Sequence, residues 1–276
     1  MKYMGSKAGV AKYIVPILQK EIDKRHITTY VEPFCGGCNL LDKIQCDQKI
    51  ASDINPYLIA LLQYAQNVGR QVFAGGDNTF PFEKALEYFP SNITRELYNR
   101  VRNEYNARKN NNTYDNEQYE YPLYYVGLVG FLASYQGRFF DGGYAPNKPH
   151  RNYYREARDN LIKQIPDLLN VDFSVRDYTS EFYDSLQNVL IYCDPPYINT
   201  KKYSCFPKMN YSQFWETVRK WSAKNVVYVS EQTAPDDFEV VWSKEVVHST
   251  GAGLNRNTYT KAEKLFRLKE GYRYEN

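Results

Sequence analysis

The feature that most constrains the fold is the run Val189-Leu190-Ile191-Tyr192-Cys193, which passes directly into Asp194-Pro195-Pro196-Tyr197. Five apolar or β-favouring residues cut off by an acid and two prolines predict a buried strand of an α/β sheet. Proline cannot donate to a ladder, so the strand must stop there. Sheets of this kind bind ligands outside the carboxyl ends of their strands.

The same strand-and-turn pattern stands twice near the amino terminus. Thr28-Thr29-Tyr30-Val31 reads as a strand running into Glu32-Pro33-Phe34-Cys35-Gly36-Gly37-Cys38, with a helix expected over Asn39–Ile44. A glycine-rich turn after a first strand lets a ligand approach the backbone closely. Lys49-Ile50-Ala51-Ser52 predicts a second strand ending at Asp53, followed by a helix through Leu58, Leu61 and Leu62. An acid at that tip, about 20 residues past the first loop, can hold a ribose diol. The plainer alternative is a helix N-terminal acid favoured by the dipole, and the glycine loop before it favours the ribose.

The turn at 194–197 narrows the chemistry. Two prolines remove backbone donors, so the turn offers acceptors: the Asp194 carboxylate and the Pro195 carbonyl, beside the ring of Tyr197. That set suits a planar group with two N–H donors, such as the exocyclic amine of a nucleobase. Directing both hydrogens at acceptors turns the nitrogen lone pair toward an electrophile, a form of catalysis by orientation and electrostatics.

Asp194-Pro195-Pro196-Tyr197 resembles the catalytic motif of the amino-methyltransferases, and the chain as a whole resembles the Dam-type DNA adenine-N6 methyltransferases. The resemblance is strong at residues 2–7, 32–38, 53 and 194–197, and its motif order is that of the α group. It implies S-adenosylmethionine as cofactor, double-stranded DNA as partner and a target adenine flipped into the pocket. Asp194, Pro195, Pro196 and Tyr197 would then be catalytic, with Asp194 also facing the cofactor. By the same resemblance Tyr3 and Lys7 lie near the methionine part of the cofactor, and Glu32, Phe34, Gly36 and Gly37 form its loop. Cys38 stands where the family has its second glycine. Asp53 takes the ribose role, and Asp177, at the end of a strand predicted over 171–177, either faces the adenine side or makes a surface salt bridge.

The implied fold is that of the class I S-adenosylmethionine-dependent methyltransferases, a seven-stranded, mostly parallel, doubly wound α/β sheet. Residues 1–66 and 169–276 would be its catalytic core, and 67–168 an inserted, mainly helical recognition module. Within 67–168 the strand-helix alternation gives way to helical patterns in polar, asparagine-rich sequence. There Tyr135–Tyr144 predicts a hairpin carrying Arg138, Phe139 and Phe140, followed by Lys148, Arg151, Arg155 and Arg158. Arginine reads guanine edges or holds phosphates, and an exposed aromatic can wedge into a base step. Alternatively the two phenylalanines pack the hairpin onto the module. Lys201, in a polar segment after the motif, and Arg256, in the loop 249–257, are further candidates for DNA contact.

Composition agrees with a globular enzyme and excludes little else. The 276 residues are 43% hydrophobic and 24% charged, enough for one large core, and the net charge of +3 is only a weak nucleic-acid signal. No apolar run has membrane-span length and none follows the amino terminus as a signal core, so a cytoplasmic location is expected. Cys35 and Cys38 lack a second pair at zinc spacing, and no metal is expected. The competing activities are N4-cytosine methylation, whose motif usually begins with serine, and DNA binding without catalysis on a degenerate core.

Overall fold

The computed structural model describes residues 1–73, 79–114, 117–197, 209–250 and 257–272. Helix α1, Ala11–Arg25, precedes strand β1, Thr29–Glu32, and continues through Pro16. Strand β2, Gln48–Asp53, leads into α2, Pro56–Val72. Four helices follow before the sheet resumes: α3 (Phe82–Leu86), α4 (Arg95–Asn111), α5 (Leu123–Leu132) and α6 (Tyr153–Leu168). Then come β3 (Val171–Val175), α7 (Glu181–Asp184), β4 (Leu190–Cys193), α8 (Tyr211–Ser222) and β5 (Val226–Glu231). The hairpin β6 (Phe238–Thr250) and β7 (Asn257–Leu268) closes the order.

The strands form one seven-stranded sheet in the order β3-β2-β1-β4-β5-β7-β6, parallel from β3 to β5 and antiparallel beyond. Val31 lies opposite Ile50 on one side and Ile191 on the other, and Ile191 opposite Val227. Strands buried on both faces are continuous apolar runs, and their side chains divide by parity. Tyr30, Leu190, Tyr192 and Tyr228 pack with α1, α2, α5 and α6; Val31, Ile191, Cys193, Val227 and Val229 pack with Tyr183 and the α8 residues Phe214, Val218 and Trp221. The sheet is therefore doubly wound, as the pattern predicted.

Local chemistry sets the element starts. Asn55 caps α2, its side-chain oxygen accepting from the amides of Tyr57 and Leu58 at 3.0 and 3.2 Å, and Pro56 fills the first helical position, where no N–H is needed. Helix α5 is apolar almost throughout and buried from Val126 to Leu132; it packs in the same core as α2 and α6. Among the described residues no helix is long and apolar enough to cross a membrane.

Two expectations are corrected. Asn39–Ile44 is not a helix: only a 3-10 turn forms, over Leu41–Lys43. Cys38 adopts φ +55 and Ile44 is extended, so Leu40, Leu41 and Ile44 all reach the core without forming a single helical stripe. Nor is Tyr135–Tyr144 a hairpin. Gln136, Gly137 and Phe139 have φ of 57, 63 and 48, which curls the segment into 3-10 turns over Tyr135–Gly137 and Phe139–Gly142. A single bridge between Ser134 and Tyr144 closes it.

Candidate active site

β1 lies between β2 and β4, so Glu32, Asp53 and Asp194 end three adjacent strands at the same edge of the sheet. At the Asp194 end of this edge the centre is Lys7. Its Nζ lies 2.8 Å from Oδ1 of Asp194, 3.8 Å from Oε2 of Glu263 and 4.6 Å from the centre of the Tyr197 ring. Lys7 is 7% exposed, and a buried ammonium is tolerable only when paired. Ser6 sets the turn that places it: the hydroxyl accepts from the amide of Ala8, and the amide of Val10 donates to the Lys7 carbonyl. Lys7 thus meets Asp194 directly, beyond the cofactor role the resemblance gave it.

Burial pushes the Asp194 carboxyl up to about 6, against the opposing pull of Lys7. Tyr197 is buried, and its hydroxyl donates to Oε2 of Glu263 at 2.6 Å. Desolvation, with the nearby charges of Asp194 and Glu263, drives the phenol far above its ordinary value and keeps it a hydrogen-bond donor. The turn is held from outside as well, since the Tyr211 hydroxyl donates to the Pro196 carbonyl.

The other half of the edge is built around Asp53. Its Oδ2 accepts from the amide of Gly36 at 3.2 Å and its Oδ1 from that of Asn55 at 2.9 Å. Burial raises this carboxyl to about 6, opposed by those two amides. The Cys35 amide donates to the Ser52 carbonyl, which ties the glycine turn to β2. Gly36 has φ +47, and a Cβ there would stand 2.8 Å from the Tyr3 ring, so the position requires glycine. Tyr3 lies over this turn and stacks on Phe131, with ring centres 5.7 Å apart. Glu32 is 3% exposed, accepts from the Tyr30 hydroxyl at 2.7 Å, and is raised to about 8 by burial. Phe34 packs against Tyr178 and Phe214 at 5.5 and 5.9 Å. Asp177 lies just past β3, its carboxylate accepting from the amide and hydroxyl of Thr179 at 2.8 and 2.6 Å, and among the described residues it forms no salt bridge.

The candidate DNA-contacting residues divide. Lys148, Arg151 and Arg155 are exposed, with Arg151 paired to Glu156, which also accepts from Lys2. Arg138 is half-buried. Its turn packs on the amino-terminal segment, where a Cβ on Gly137 would lie 2.5 Å from the Lys2 carbonyl oxygen. Arg158 is turned inward, onto Asp159 and the Pro90 carbonyl. The wedge role of Phe139 and Phe140 is corrected: they are 1% and 3% exposed, packed against Phe131, Tyr105 and Tyr98 at 4.7 to 5.4 Å. Removing either ring would cost about 3–5 kcal/mol of stability, the price of a large aromatic cavity. Lys201 and Arg256 lie outside the described residues.

Two site residues escaped the sequence reading. Tyr211 opens α8, a position that carries no motif. Glu263 stands in β7 two residues before the fully buried Leu265, on the same face of the strand. An acid on the inward face of an alternating strand was the available signal, since such residues are seldom buried without a partner.

The chain is similar to known DNA methyltransferases. The type II methyltransferase M.FokI of Planomicrobium okeanokoites is 27% identical over 212 residues, covering 72% of this chain and 29% of that protein. The modification methylase StsI of Streptococcus sanguinis is 26% identical over 208 residues, 72% of this chain and 28% of its own length. The chain thus spans less than a third of these two relatives. The type II methyltransferase M.MjaIII of Methanocaldococcus jannaschii is 26% identical over 220 residues, with 75% of this chain and 71% of that protein covered. The profile of the D12 class N6 adenine-specific DNA methyltransferases matches residues 3–244, and the chain belongs to that family.

Proposed function

We propose that the protein transfers a methyl group from S-adenosylmethionine to the N6 amine of adenine in double-stranded DNA. The observation that carries the reading is the edge-on arrangement at β1, β2 and β4: a glycine turn bound to Asp53, beside an Asp-Pro-Pro-Tyr turn whose carboxylate is paired to Lys7. Membership of the family supplies the reaction class.

The residues present fit the cofactor. Each Asp53 oxygen accepts one amide and has capacity for a second donor, as a ribose diol requires. Glu32 is a buried acid suited to an ammonium, and Phe34 with Tyr178 offers aromatic surface to a purine. S-adenosylmethionine, when bound, supplies the electrophilic methyl group. Asp194 and the Pro195 carbonyl accept the two N–H groups of the target amine and orient its lone pair, while Tyr197 receives the face of the base. Lys7 keeps Asp194 ionised against burial, and occupies Oδ1. The target amine is out of reach inside a duplex, so the base is turned out into the site.

Residues 67–168 would recognise the DNA, with Arg138, Lys148, Arg151 and Arg155 on the duplex. The packing of the 135–138 turn against Lys2 supports this, because it joins that part of the chain to the segment that delivers Tyr3 and Lys7. The enzyme would act in the cytoplasm. The test is incubation with methyl-labelled S-adenosylmethionine and mixed-sequence DNA, then digestion to nucleosides. N6-methyladenine is expected. Label in N4-methylcytosine would move the reading to cytosine, and DNA binding without label would mark a non-catalytic protein.

A further inference from the structure

We propose that Glu263, which lies outside the motifs at 2–7, 32–38, 53 and 194–197, is the positioning residue that fixes Tyr197 and Lys7 for methyl transfer. The proposal rests on the functional reading above and adds to it a residue that the reading does not use. Glu263 Oε2 accepts from the Tyr197 hydroxyl at 2.6 Å and stands 3.8 Å from the Lys7 ammonium. The same ammonium lies 2.8 Å from Asp194 and 4.6 Å from the centre of the Tyr197 ring. One carboxylate therefore touches both groups that set the geometry at Asp194.

The chemistry separates this role from generic packing. A stacking tyrosine has to present its ring at a fixed angle, and rotation about its two side-chain torsions is what a base entering the site would exploit. The chain end of Tyr197 is fixed by the Pro196 carbonyl, held by Tyr211, and its far end by Glu263. A hydrogen bond to a charged acceptor is roughly twice as strong as a neutral one. With Lys7 over one face of the ring, a base stacks on the other. Glu263 supplies a second negative charge near Lys7, which helps to hold the ammonium in a site that is 7% exposed.

Its position in the fold gives the contact a second property. Lys264 opposite Glu231 is the last pair between β7 and β5, so Glu263 is the first β7 residue beyond that ladder, where the strand continues only as part of the β6–β7 hairpin. The tyrosine is thus tied to the hairpin and not to the five-stranded parallel body of the sheet.

The experiment compares wild type with Glu263→Ala, Glu263→Gln, Tyr197→Phe and the double variant Tyr197→Phe/Glu263→Ala. Product is read as N6-methyladenine, with kcat separated from the KM for S-adenosylmethionine. Loss of one charge-assisted bond predicts about a 10- to 100-fold fall in kcat for Glu263→Ala with cofactor KM within about threefold. Glu263→Gln, whose neutral amide oxygen still accepts the phenol proton but in a bond roughly half as strong, should fall between wild type and Glu263→Ala. The double variant should be slower than Tyr197→Phe by less than Glu263→Ala is slower than wild type, because only the contact with Lys7 remains to be lost. Wild-type kcat in Glu263→Ala, a loss confined to cofactor KM, or independent losses in the double variant would overturn the proposal. A urea-unfolding cycle on wild type, Glu263→Ala, Tyr197→Phe and the double variant reads the bond without substrate: coupling of roughly tenfold in the unfolding equilibrium supports it, and strict additivity overturns it. Absence of N6-methyladenine from the wild type would instead strike the functional reading, whatever the cycle shows of the bond.

Discussion

Asp53 and Asp194 invite comparison because they end the strands on either side of β1, and burial raises both carboxyls to about 6. Their partners differ in kind. Asp53 is held by two backbone amides, of Gly36 and Asn55, while Asp194 is held by the ammonium of Lys7. Amides orient a carboxylate without cancelling its charge, so Asp53 keeps a full negative charge for hydroxyl donors. An ammonium opposes the cost of burying the ionised acid but depends on a segment far away in sequence being docked. The difference teaches that one acid is framed by backbone amides and the other by a side chain distant in sequence, the division expected if the first serves standing recognition and the second is assembled for reaction, as proposed.

The strongest way to break this division is to remove each acid in turn. Asp194→Ala should lower kcat by about 100- to 1,000-fold, since an electrostatic group aimed at the reacting atom commonly contributes that much. Its affinity for S-adenosylmethionine, measured by calorimetry, should stay within about threefold. Asp53→Ala should show the reverse: cofactor affinity weaker by roughly 10- to 150-fold, the worth of a charged hydrogen bond, and kcat at saturating cofactor within a few-fold of wild type. If both variants lose affinity alike, the two halves of the edge are not separate.

A smaller effect tests the ammonium alone. In Lys7→Met the lowering influence on Asp194 is gone, so its carboxyl should titrate above 6 and be less ionised at pH 7. The methylation rate at pH 7 should fall, by about a decade for each unit by which the carboxyl rises past the assay pH, and should recover as the pH is raised. A uniform loss at every pH would show that Lys7 acts by position and not by charge.

How much of this was legible in the sequence follows from where each signal resides. The apolar runs ending at Glu32, Asp53 and Asp194 gave the parallel strands and their edge, because a strand buried on both faces leaves a continuous hydrophobic signature. The turn at 194–197 gave its own chemistry through two missing amide protons. The Lys7–Asp194 pair was invisible, since nothing local links residue 7 to residue 194. Glu263 was hidden in an alternating strand. Phe139 and Phe140 were ambiguous for a physical reason: an aromatic pair beside glycines has the same sequence whether it faces DNA or the core, and only the positive φ values at Gln136 and Phe139 turn it inward. The absent helix at 39–44 failed likewise on one backbone angle, at Cys38.

The smallest expected effect concerns stability, and it sharpens the comparison without any substrate. A carboxyl whose folded value is raised from 3.8 to about 6 favours the fold most below 3.8, and that contribution is lost as the pH rises through about 6. Asp53→Asn cannot ionise, so it should escape that loss. Between pH 5 and pH 7 the Tm of wild type should therefore fall by a few degrees relative to Asp53→Asn, at about 2–4 °C per kcal/mol for a chain of this size, read by calorimetry. Saturating S-adenosylmethionine should reverse the sign, because binding to the ionised acid strengthens as the pH rises and raises the wild-type Tm at pH 7 more than at pH 5. In Asp53→Asn only the fall that Asp194, raised likewise to about 6, contributes to both proteins should remain. Equal Tm profiles for wild type and Asp53→Asn would mean that the Gly36 and Asn55 amides already offset the burial of the charge, and Asp53 would then be no more strained than a surface cap.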